Sequence, residues 1–285
     1  MDQMSSNNGQ INHVSDTALM VAACRALETE LPDAFARDPF AARLAGKRGF
    51  AILNAMPNSM ILRFGMAIRT RFLDELLAEV LASEAVTTVL SVGCGLDTRP
   101  WRMDFPAGLR WVEADFPDVL DYKYGLLADE KARCHVERLS VDLKDRTQRQ
   151  TMYDAVGRAG SLMVTEGVLM YLPAGTVEAL ATEVPEQTGV AHWISDITTS
   201  AFSKALAGEQ KRDHLGHVQA PDALTGEQIL DVLRTHGWTT AVVRSYIRDT
   251  GFTQERVQRM FGDRPAAQPL FPPDDPTGVH RFARG

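Results

Sequence analysis

Cysteine, clustered basic residues and long apolar runs are all scarce in this chain, and each shortage excludes a class of protein. The three cysteines, Cys24, Cys94 and Cys134, form no CxxC pair and no Cys/His spacing suited to zinc, so neither a disulfide framework nor a metal site is predicted. The apolar runs fall well short of the ~20 residues that span a bilayer. The formal net charge is −7, and without a basic patch we expect no nucleic-acid partner.

The N-terminus also lacks the apolar core of a signal peptide, because Met1–Gln10 is polar. We therefore expect a cytoplasmic protein without membrane contact. A hydrophobic fraction of 45% in 285 residues allows a sizeable core, and one elaborated α/β domain can reach this length. We expect residues 1–14 to be a flexible tail and residues 15–285 to form a single domain.

Periodicity divides this domain into a helical cap, residues 15–83, and a core, residues 84–285. The last cap helix carries one apolar stripe made of Ile68, Phe72, Leu73, Leu76, Leu77, Val80 and Leu81. Arg69 lies at the edge of this stripe and is predicted to point inward, whereas Arg71 points toward Glu75 and away from the core. The inward position makes Arg69 a candidate functional residue.

The core alternates between strand-like and helix-like segments. This alternation predicts an α/β fold with a parallel sheet covered by helices on both faces. A capping box at Thr225–Gln228 and a stop at His236–Gly237 bound one helix, and another is expected to be capped by Thr176 and ended by Pro185. The polar stretch near residues 198–222 is predicted to be a lid. The strand candidates are residues 88–92, 109–114, 135–139, 161–165, 190–194, 239–243 and 279–283.

A pair of glycines, Gly93 and Gly95, directly follows the first predicted strand. Glycines at this point let the backbone approach a bound nucleoside closely, although a GxG pair also occurs in ordinary tight turns. Thr98 stands where the dinucleotide fingerprint has its third glycine. The departure disfavours an NAD-dependent oxidoreductase and is compatible with a cofactor that lacks phosphates.

Three later motifs each place a carboxylate at a predicted strand end. Asp115 can accept hydrogen bonds from ribose hydroxyls, and Asp142, beside the backbone of Leu143, can receive an adenine amino group. Glu166 can face a cationic amino or sulfonium group. Taken singly, each has a simpler explanation: a helix N-cap or turn acid for Asp115, a turn aspartate for Asp142 and a solvated strand-end acid for Glu166.

Together with Ala67–Thr70, these segments resemble the leucine carboxyl methyltransferase family, including its bacterial branch of small-molecule O-methyltransferases. The resemblance runs from about residue 15 to the end of the chain. It implies a class I methyltransferase fold, with a Rossmann-like sheet, and S-adenosyl-L-methionine as the methyl donor. Ser91 departs from many class I methyltransferases, which carry an acid in this strand. The other resembling motifs are Arg25–Ala26, Asp38–Ala41, Gly93–Arg99, Glu113–Pro117, Val141–Leu143 and Glu166–Leu172.

The resemblance also implies a role for each of seven donor-binding residues. Arg69 would hold the methionine carboxylate, and Glu166 would lie near the methionine amino group. Gly93 and Gly95 would line the cofactor loop, and Asp115 would bind the ribose. Asp142 and Leu143 would contact the adenine.

In methyl transfer from a sulfonium the leaving group is a neutral thioether, which needs no help from the protein to depart. The main contribution expected of the protein is therefore to position the acceptor oxygen beside the methyl group. A carboxylate acceptor is already ionised at neutral pH, whereas a phenol with a pKa of ~10 would profit from a base. Each candidate base also has an ordinary explanation, as a packed, solvated or pocket-lining side chain, and we assign no catalytic residue. The candidate bases are Tyr171, His192, His214 and His217.

These observations predict an O-methyltransferase acting on a carboxylate or phenol of a small metabolite, for which a polyketide-like compound of secondary metabolism is one candidate. Two alternatives stay open: a carboxyl methyltransferase of a protein C-terminus, which needs an open groove for a peptide tail, and a donor-binding module without turnover. The sequence leaves the acceptor, the oligomeric state and the pathway undetermined.

Overall fold

The computed structural model describes residues 13–56, 58–207, 218–262, 272 and 274–284. Its helices are α1 (Val14–Thr29), α2 (Ala41–Ala55), α3 (Ser59–Ser83), α4 (Arg99–Arg102), α5 (Pro117–Leu126), α6 (Arg146–Val156), α7 (Ala174–Gln187), α8 (Ser200–Ala207), α9 (Gly226–Thr235) and α10 (Gln254–Phe261). Its strands are β1 (Thr88–Val92), β2 (Arg110–Asp115), β3 (His135–Ser140), β4 (Ser161–Thr165), β5 (Val190–Ile197), β6 (Trp238–Ser245) and β7 (Gly278–Arg284).

The seven strands form one sheet in the order β3-β2-β1-β4-β5-β7-β6. The pairs among β1 to β5 are parallel, whereas β7 is antiparallel to both β5 and β6. This is the class I methyltransferase arrangement, so the predicted fold class is confirmed. The prediction of a wholly parallel sheet is wrong at β7. Gly278, the first residue of β7, pairs with Ser245, the last residue of β6. The segment that connects β6 to β7 therefore begins and ends at the same edge of the sheet, and β7 runs antiparallel to β6.

The predicted boundaries are confirmed for α9 and wrong for α7. Thr225 and Gln228 form the capping box of α9, and the helix stops before Gly237, whose φ is +84°. In contrast, α7 begins after Pro173, not at Thr176, and it runs through Pro185 to Gln187.

Pro185 is tolerated inside α7 because its missing N–H is replaced from outside the helix. A proline lacks the N–H that would bond to the carbonyl four residues earlier, which here belongs to Ala181. That carbonyl accepts a hydrogen bond from the indole Nε1 of Trp238 at 3.0 Å. Trp238 itself is almost fully buried.

The two faces of the sheet are covered by different helices. The apolar stripe of α3 packs on one face, against Val89, Trp111 and Leu162. On the other face, α6, α7 and α9 cover Leu90 and its neighbours. Helices α1 and α2 pack on each other and on Leu96, in the loop after β1, so the N-terminal helices lie over the carboxyl end of the sheet.

None of the helices in the described ranges is both long and apolar enough to cross a membrane. The region predicted as a lid includes α8, but residues 208–217 lie outside the described ranges, as do residues 1–12 of the predicted tail. The division into a cap and a core within one domain stays a prediction.

Candidate active site at the carboxyl edge of the sheet

The predicted site residues leave neighbouring strands at one edge of the sheet. Val92, the last residue of β1, pairs with Ala114 on one side and with Thr165 on the other. Asp115 pairs in turn with Ser140, the last residue of β3. The glycine pair, Asp115, Asp142 and Glu166 therefore all lie at or just beyond adjacent carboxyl ends, which is where open α/β sheets bind ligands.

Gly93 and Gly95 are required by their own backbone conformation and by close contacts with neighbouring residues of the chain. Gly93 and Gly95 have φ values of +59° and +49°, a left-handed conformation that side chains disfavour. A Cβ on Gly93 would lie 2.5 Å from Cγ2 of Val168, and one on Gly95 would lie 3.3 Å from Cβ of Ala18. Helix α1 and the segment after β4 thus close tightly on this loop.

Asp115 joins the end of β2 to the glycine loop. Its Oδ2 accepts a hydrogen bond from the Gly95 N–H at 2.6 Å, and its Oδ1 accepts one from the Phe116 N–H at 2.7 Å. Burial raises the pKa of Asp115 despite these two hydrogen bonds. The N-cap explanation is wrong, because the N-cap of α5 is Phe116. Each carboxylate oxygen keeps a second lone pair for a ligand hydroxyl.

Asp142 and Leu143 are more heavily engaged in local structure. The Asp142 carboxylate accepts a hydrogen bond from the Lys144 N–H at 2.9 Å, as a turn aspartate does. Its own N–H donates to Oε1 of Gln148 at 2.8 Å, and the Leu143 carbonyl accepts from Arg149 at 2.8 Å. The structure brings both residues to the site edge, and their contact with adenine stays a prediction.

Arg69 points inward, as predicted, and binds two carboxylates from different strands. Its Nη2 lies 3.0 Å from Oε1 of Glu166, and its Nη1 lies 3.2 Å from Oδ2 of Asp196. The residue is buried, 8% exposed, and its Nε has no hydrogen-bond partner within the described residues. The guanidinium therefore retains an unused donor in the site.

Glu166 is held as a carboxylate by two arginines. Its Oε2 lies 2.9 Å from Nη1 of Arg99, opposite the contact with Arg69. Burial alone would raise the pKa of Glu166, but the charges of Arg99 and Arg69 outweigh burial and lower the pKa to about 2. The explanation as a solvated strand-end acid is wrong, because only 16% of the side chain is exposed.

Asp196 is the site residue that sequence reasoning missed. It lies in β5 one residue beyond Ser195, the partner of Thr165, so it is level with Glu166. Its Oδ1 accepts a hydrogen bond from the Gly167 N–H at 2.7 Å while its Oδ2 contacts Arg69. The predicted strand stopped at residue 194, so an acid two residues later did not stand at a predicted strand end.

A second group of charged residues orients Arg99 behind the site. Arg99 contacts Asp97 at 3.0 Å and Asp74 of α3 at 2.7 Å. Asp74 also holds Arg102, at 2.7 Å. These contacts link α3 to the loop after β1, so the charged site is fixed from both sides.

Helix α1 is tied to the glycine loop through Arg25. Its Nε contacts Asp38 at 2.8 Å, and its Nη2 donates to the Leu96 carbonyl at 2.6 Å. Both Arg25 and Asp38 belong to motifs that the sequence analysis noted. Their contacts hold α1 and the segment before α2 against the loop after β1.

The two candidate bases within the described residues lie at opposite ends of the sheet: Tyr171 follows the carboxyl end of β4, and its charge acts on Arg69, whereas His192 lies near the start of β5. His192 lies near the start of β5, 3.7 Å from Glu84, and burial lowers its pKa. Tyr171 lies in a short 3-10 helix after β4 and is half-buried. His214 and His217 lie outside the described residues. In the described part of the chain, no group of three His, Cys, Asp or Glu side chains is arranged to hold a metal ion.

Comparison with known proteins decides the family. The sequence profile of the leucine carboxyl methyltransferase family matches residues 18–184. The chain belongs to this family. The matched range contains the glycine loop, Arg69, Asp115 and Glu166, and it ends before Asp196.

Two bacterial relatives and one solved structure describe the extent of the similarity. The chain is 36% identical over 183 residues to the "Putative S-adenosyl-L-methionine-dependent methyltransferase SCO7813" of Streptomyces coelicolor, a match covering 60% of this chain and 64% of that protein. It thus spans slightly less than two thirds of that relative.

A Rhodococcus jostii protein of the same description is 30% identical over 247 residues, with 80% of this chain and 84% of that protein covered. The methyltransferase domain of bacterial CtHen1 is 16% identical, with 76% of this chain and 99% of that chain covered and a TM-score of 0.49.

Proposed function

We propose that this chain is an S-adenosyl-L-methionine-dependent O-methyltransferase that methylates a carboxylate or phenol oxygen of a small metabolite. The observation that carries the proposal is the buried contact of Arg69 with Glu166 and Asp196. An α-amino acid carries one carboxylate and one ammonium group, so an arginine beside a carboxylate is complementary to it. The unpartnered Nε of Arg69 is available to the methionine carboxylate of the donor, and Glu166 to its amino group.

The rest of the donor fits the neighbouring strand ends. The free lone pairs of Asp115 suit the two ribose hydroxyls, and Asp142 with Leu143 lies one strand further out, at the expected place for adenine. Gly93 and Gly95 carry no side chains, so the loop backbone at these two positions can approach the donor closely. These assignments follow from position along the sheet edge and from hydrogen-bonding capacity.

Bound S-adenosyl-L-methionine supplies a methyl group on a sulfonium, so that an acceptor oxygen forms the new C–O bond while the C–S electron pair stays on sulfur. The protein's contribution is then to position the two partners, an effect worth up to ~7–11 kcal/mol. Arg69, Glu166 and Asp115 would fix the donor. The helices over the carboxyl edge would exclude water and hold the acceptor.

Calorimetric titration with S-adenosyl-L-methionine tests the donor site. Arg69→Ala and Asp115→Ala should each weaken binding by ~1–3 kcal/mol for a lost charge-assisted hydrogen bond. Matched controls are Arg234→Ala and Asp231→Ala, which break an exposed ion pair on α9 and should bind like the wild type. Wild-type affinity in either site variant would refute the assignment.

Transfer of a labelled methyl group tests turnover. The proposal expects label in small organic acids or phenols, released as methanol by alkali when the acceptor is a carboxylate. Donor binding without transfer to any acceptor would instead support a binding module.

A further inference from the structure

The ion pairs around Arg69 form one buried network in which acids outnumber bases. Its members are joined by contacts of 2.7 to 3.2 Å, and no side chain in it is more than 18% exposed. Three arginines meet four carboxylates, so within the described residues one negative charge is in excess. The members are Arg69, Arg99, Arg102, Asp74, Asp97, Glu166 and Asp196.

Charged residues next to the network leave this excess in place. Arg25 is paired with Asp38 and Lys123 with Glu113, each at 2.8 Å, so both pairs are neutral. Arg63, nearer the start of α3, is half-buried, and solvent screens its charge. A buried charge is unfavourable unless a counter-charge balances it. The network therefore favours a ligand that brings a positive charge.

Asp196 is the acid of this network on the acceptor side of the proposed donor site. Along the sheet, the strand ends that carry Asp142 and Asp115 come first, and those that carry Glu166 and Asp196 follow, with Asp196 furthest along. Adenine and ribose are assigned to the first two, so the acceptor approaches from the side of β5. Because the methyl group has to face the acceptor, the sulfonium that carries it is directed toward Asp196.

The surroundings of Asp196 leave its charge poorly screened. The side chain is 6% exposed, and its Oδ2 contacts Arg69, which Glu166 shares. Its Oδ1 accepts a hydrogen bond from the Gly167 N–H, which carries no net charge. Arg69 is itself 8% exposed and keeps an Nε without a partner in the described part of the chain. This unused buried donor is a separate indication that a ligand completes the cluster.

The methyl donor and its product differ by the charge that the network lacks. At neutral pH, S-adenosyl-L-methionine has a carboxylate, an ammonium group and a sulfonium, so its net charge is positive. S-adenosyl-L-homocysteine has a neutral thioether in place of the sulfonium, and its carboxylate and ammonium charges cancel. The donor therefore balances the network, and the product does not.

We infer that Asp196 makes the site select the cationic donor over its neutral product by placing a buried negative charge opposite the sulfonium. The inference rests on the proposed function, which assigns this edge of the sheet to the donor. The role of Asp196 is electrostatic, and no proton transfer is assigned to it. Once the methyl group has left, the attraction is lost, which favours exchange of the product for fresh donor.

Equilibrium binding of two ligands with the same amino-acid end tests the inference. Sinefungin carries an ammonium group at the place of the donor's methylated sulfur, and S-adenosyl-L-homocysteine is uncharged there. The wild type should bind sinefungin about 10-fold more tightly, since two unit charges even ~10 Å apart at an effective dielectric constant of ~20 are worth about that factor. Asp196→Asn keeps the shape of the side chain, removes its charge and should abolish most of this preference.

The ratio of the two affinities separates a charge effect from a structural one. If Asp196 only oriented Arg69, Asp196→Asn would weaken both ligands equally and leave the ratio unchanged. Asp196→Glu retains the charge and should retain the preference, even where both affinities fall. The control is Asp74→Asn, which removes a charge from the same network behind Arg99 and Arg102 and should change the ratio less than Asp196→Asn does.

Three results would overturn the inference. The wild type binds S-adenosyl-L-homocysteine as tightly as sinefungin, Asp196→Asn leaves the ratio unchanged, or Asp74→Asn changes it equally. The first result decides the question even if Asp196→Asn does not fold. In each case the wild type still binds S-adenosyl-L-homocysteine and the proposed function stands. Failure of the wild type to bind either ligand would refute the proposed function and the inference with it.

Discussion

Replacing Glu166 with glutamine should destabilise the fold at neutral pH and progressively less in acid. Glutamine keeps the shape of the side chain but removes the negative charge that Arg69 and Arg99 contact at 3.0 Å and 2.9 Å. It therefore mimics the protonated glutamate. The loss should equal the stability that comes from holding Glu166 ionised.

The pKa of Glu166 sets the magnitude of this loss. In the folded protein the pKa is lowered from 4.5 to about 2. Each pKa unit corresponds to about 1.4 kcal/mol, so the ionised carboxylate contributes about 3 kcal/mol. Because the folded pKa is the lower one, this contribution is fully present above pH 4.5 and is lost as the pH falls through about 2.

Urea unfolding of the wild type and Glu166→Gln at pH 7, 5, 4 and 3 measures the difference. The two free energies of unfolding should differ by about 3 kcal/mol at pH 7 and pH 5, and the difference should shrink below pH 4.5. Glu178→Gln is the control, because Glu178 is exposed on α7, and it should match the wild type throughout. Equal stabilities at pH 7, or a difference that persists undiminished at pH 3, would refute this reasoning.

Two further predictions concern the chain around the glycine loop. Lys123→Met should lower the free energy of unfolding in urea by ~3–5 kcal/mol, because it leaves Glu113, 2.8 Å away and fully buried, without its counter-charge. The double variant with Glu113→Leu should recover much of this loss. A double variant no more stable than Lys123→Met alone would contradict the prediction. Gly93→Ala should cost ~2–4 kcal/mol, because it combines a left-handed φ with a clash against Val168. Adding Val168→Ala should relieve the clash alone, so full recovery in the double variant would disprove the backbone contribution.

The parts of the site that follow from local rules could be predicted. Helix periodicity placed Arg69 beside the buried stripe of α3, and the ends of apolar runs located Asp115 and Glu166. Both signals depend on residues close together in sequence, where side-chain direction follows from the element itself. The strands that carry the donor-site residues were located for the same reason.

The parts that depend on how elements pack could not be predicted. Asp196 became a partner of Arg69 only when β5 extended to residue 197 and α3 docked on the sheet. The passage of α7 through Pro185 required a donor from Trp238, far along the chain. The reversal of β7 depended on where its long connection returned. Each outcome was decided by contacts between distant segments, which periodicity does not encode.

A crystal structure with S-adenosyl-L-homocysteine bound tests the central claim most directly, since the account assigns one ligand to the carboxyl ends of four strands and to Arg69 of α3. It should show the amino-acid end of the ligand contacting Arg69 and Glu166, the ribose hydroxyls bonded to Asp115 and the adenine beside Asp142. A ligand bound elsewhere, or with these contacts absent, would contradict the account.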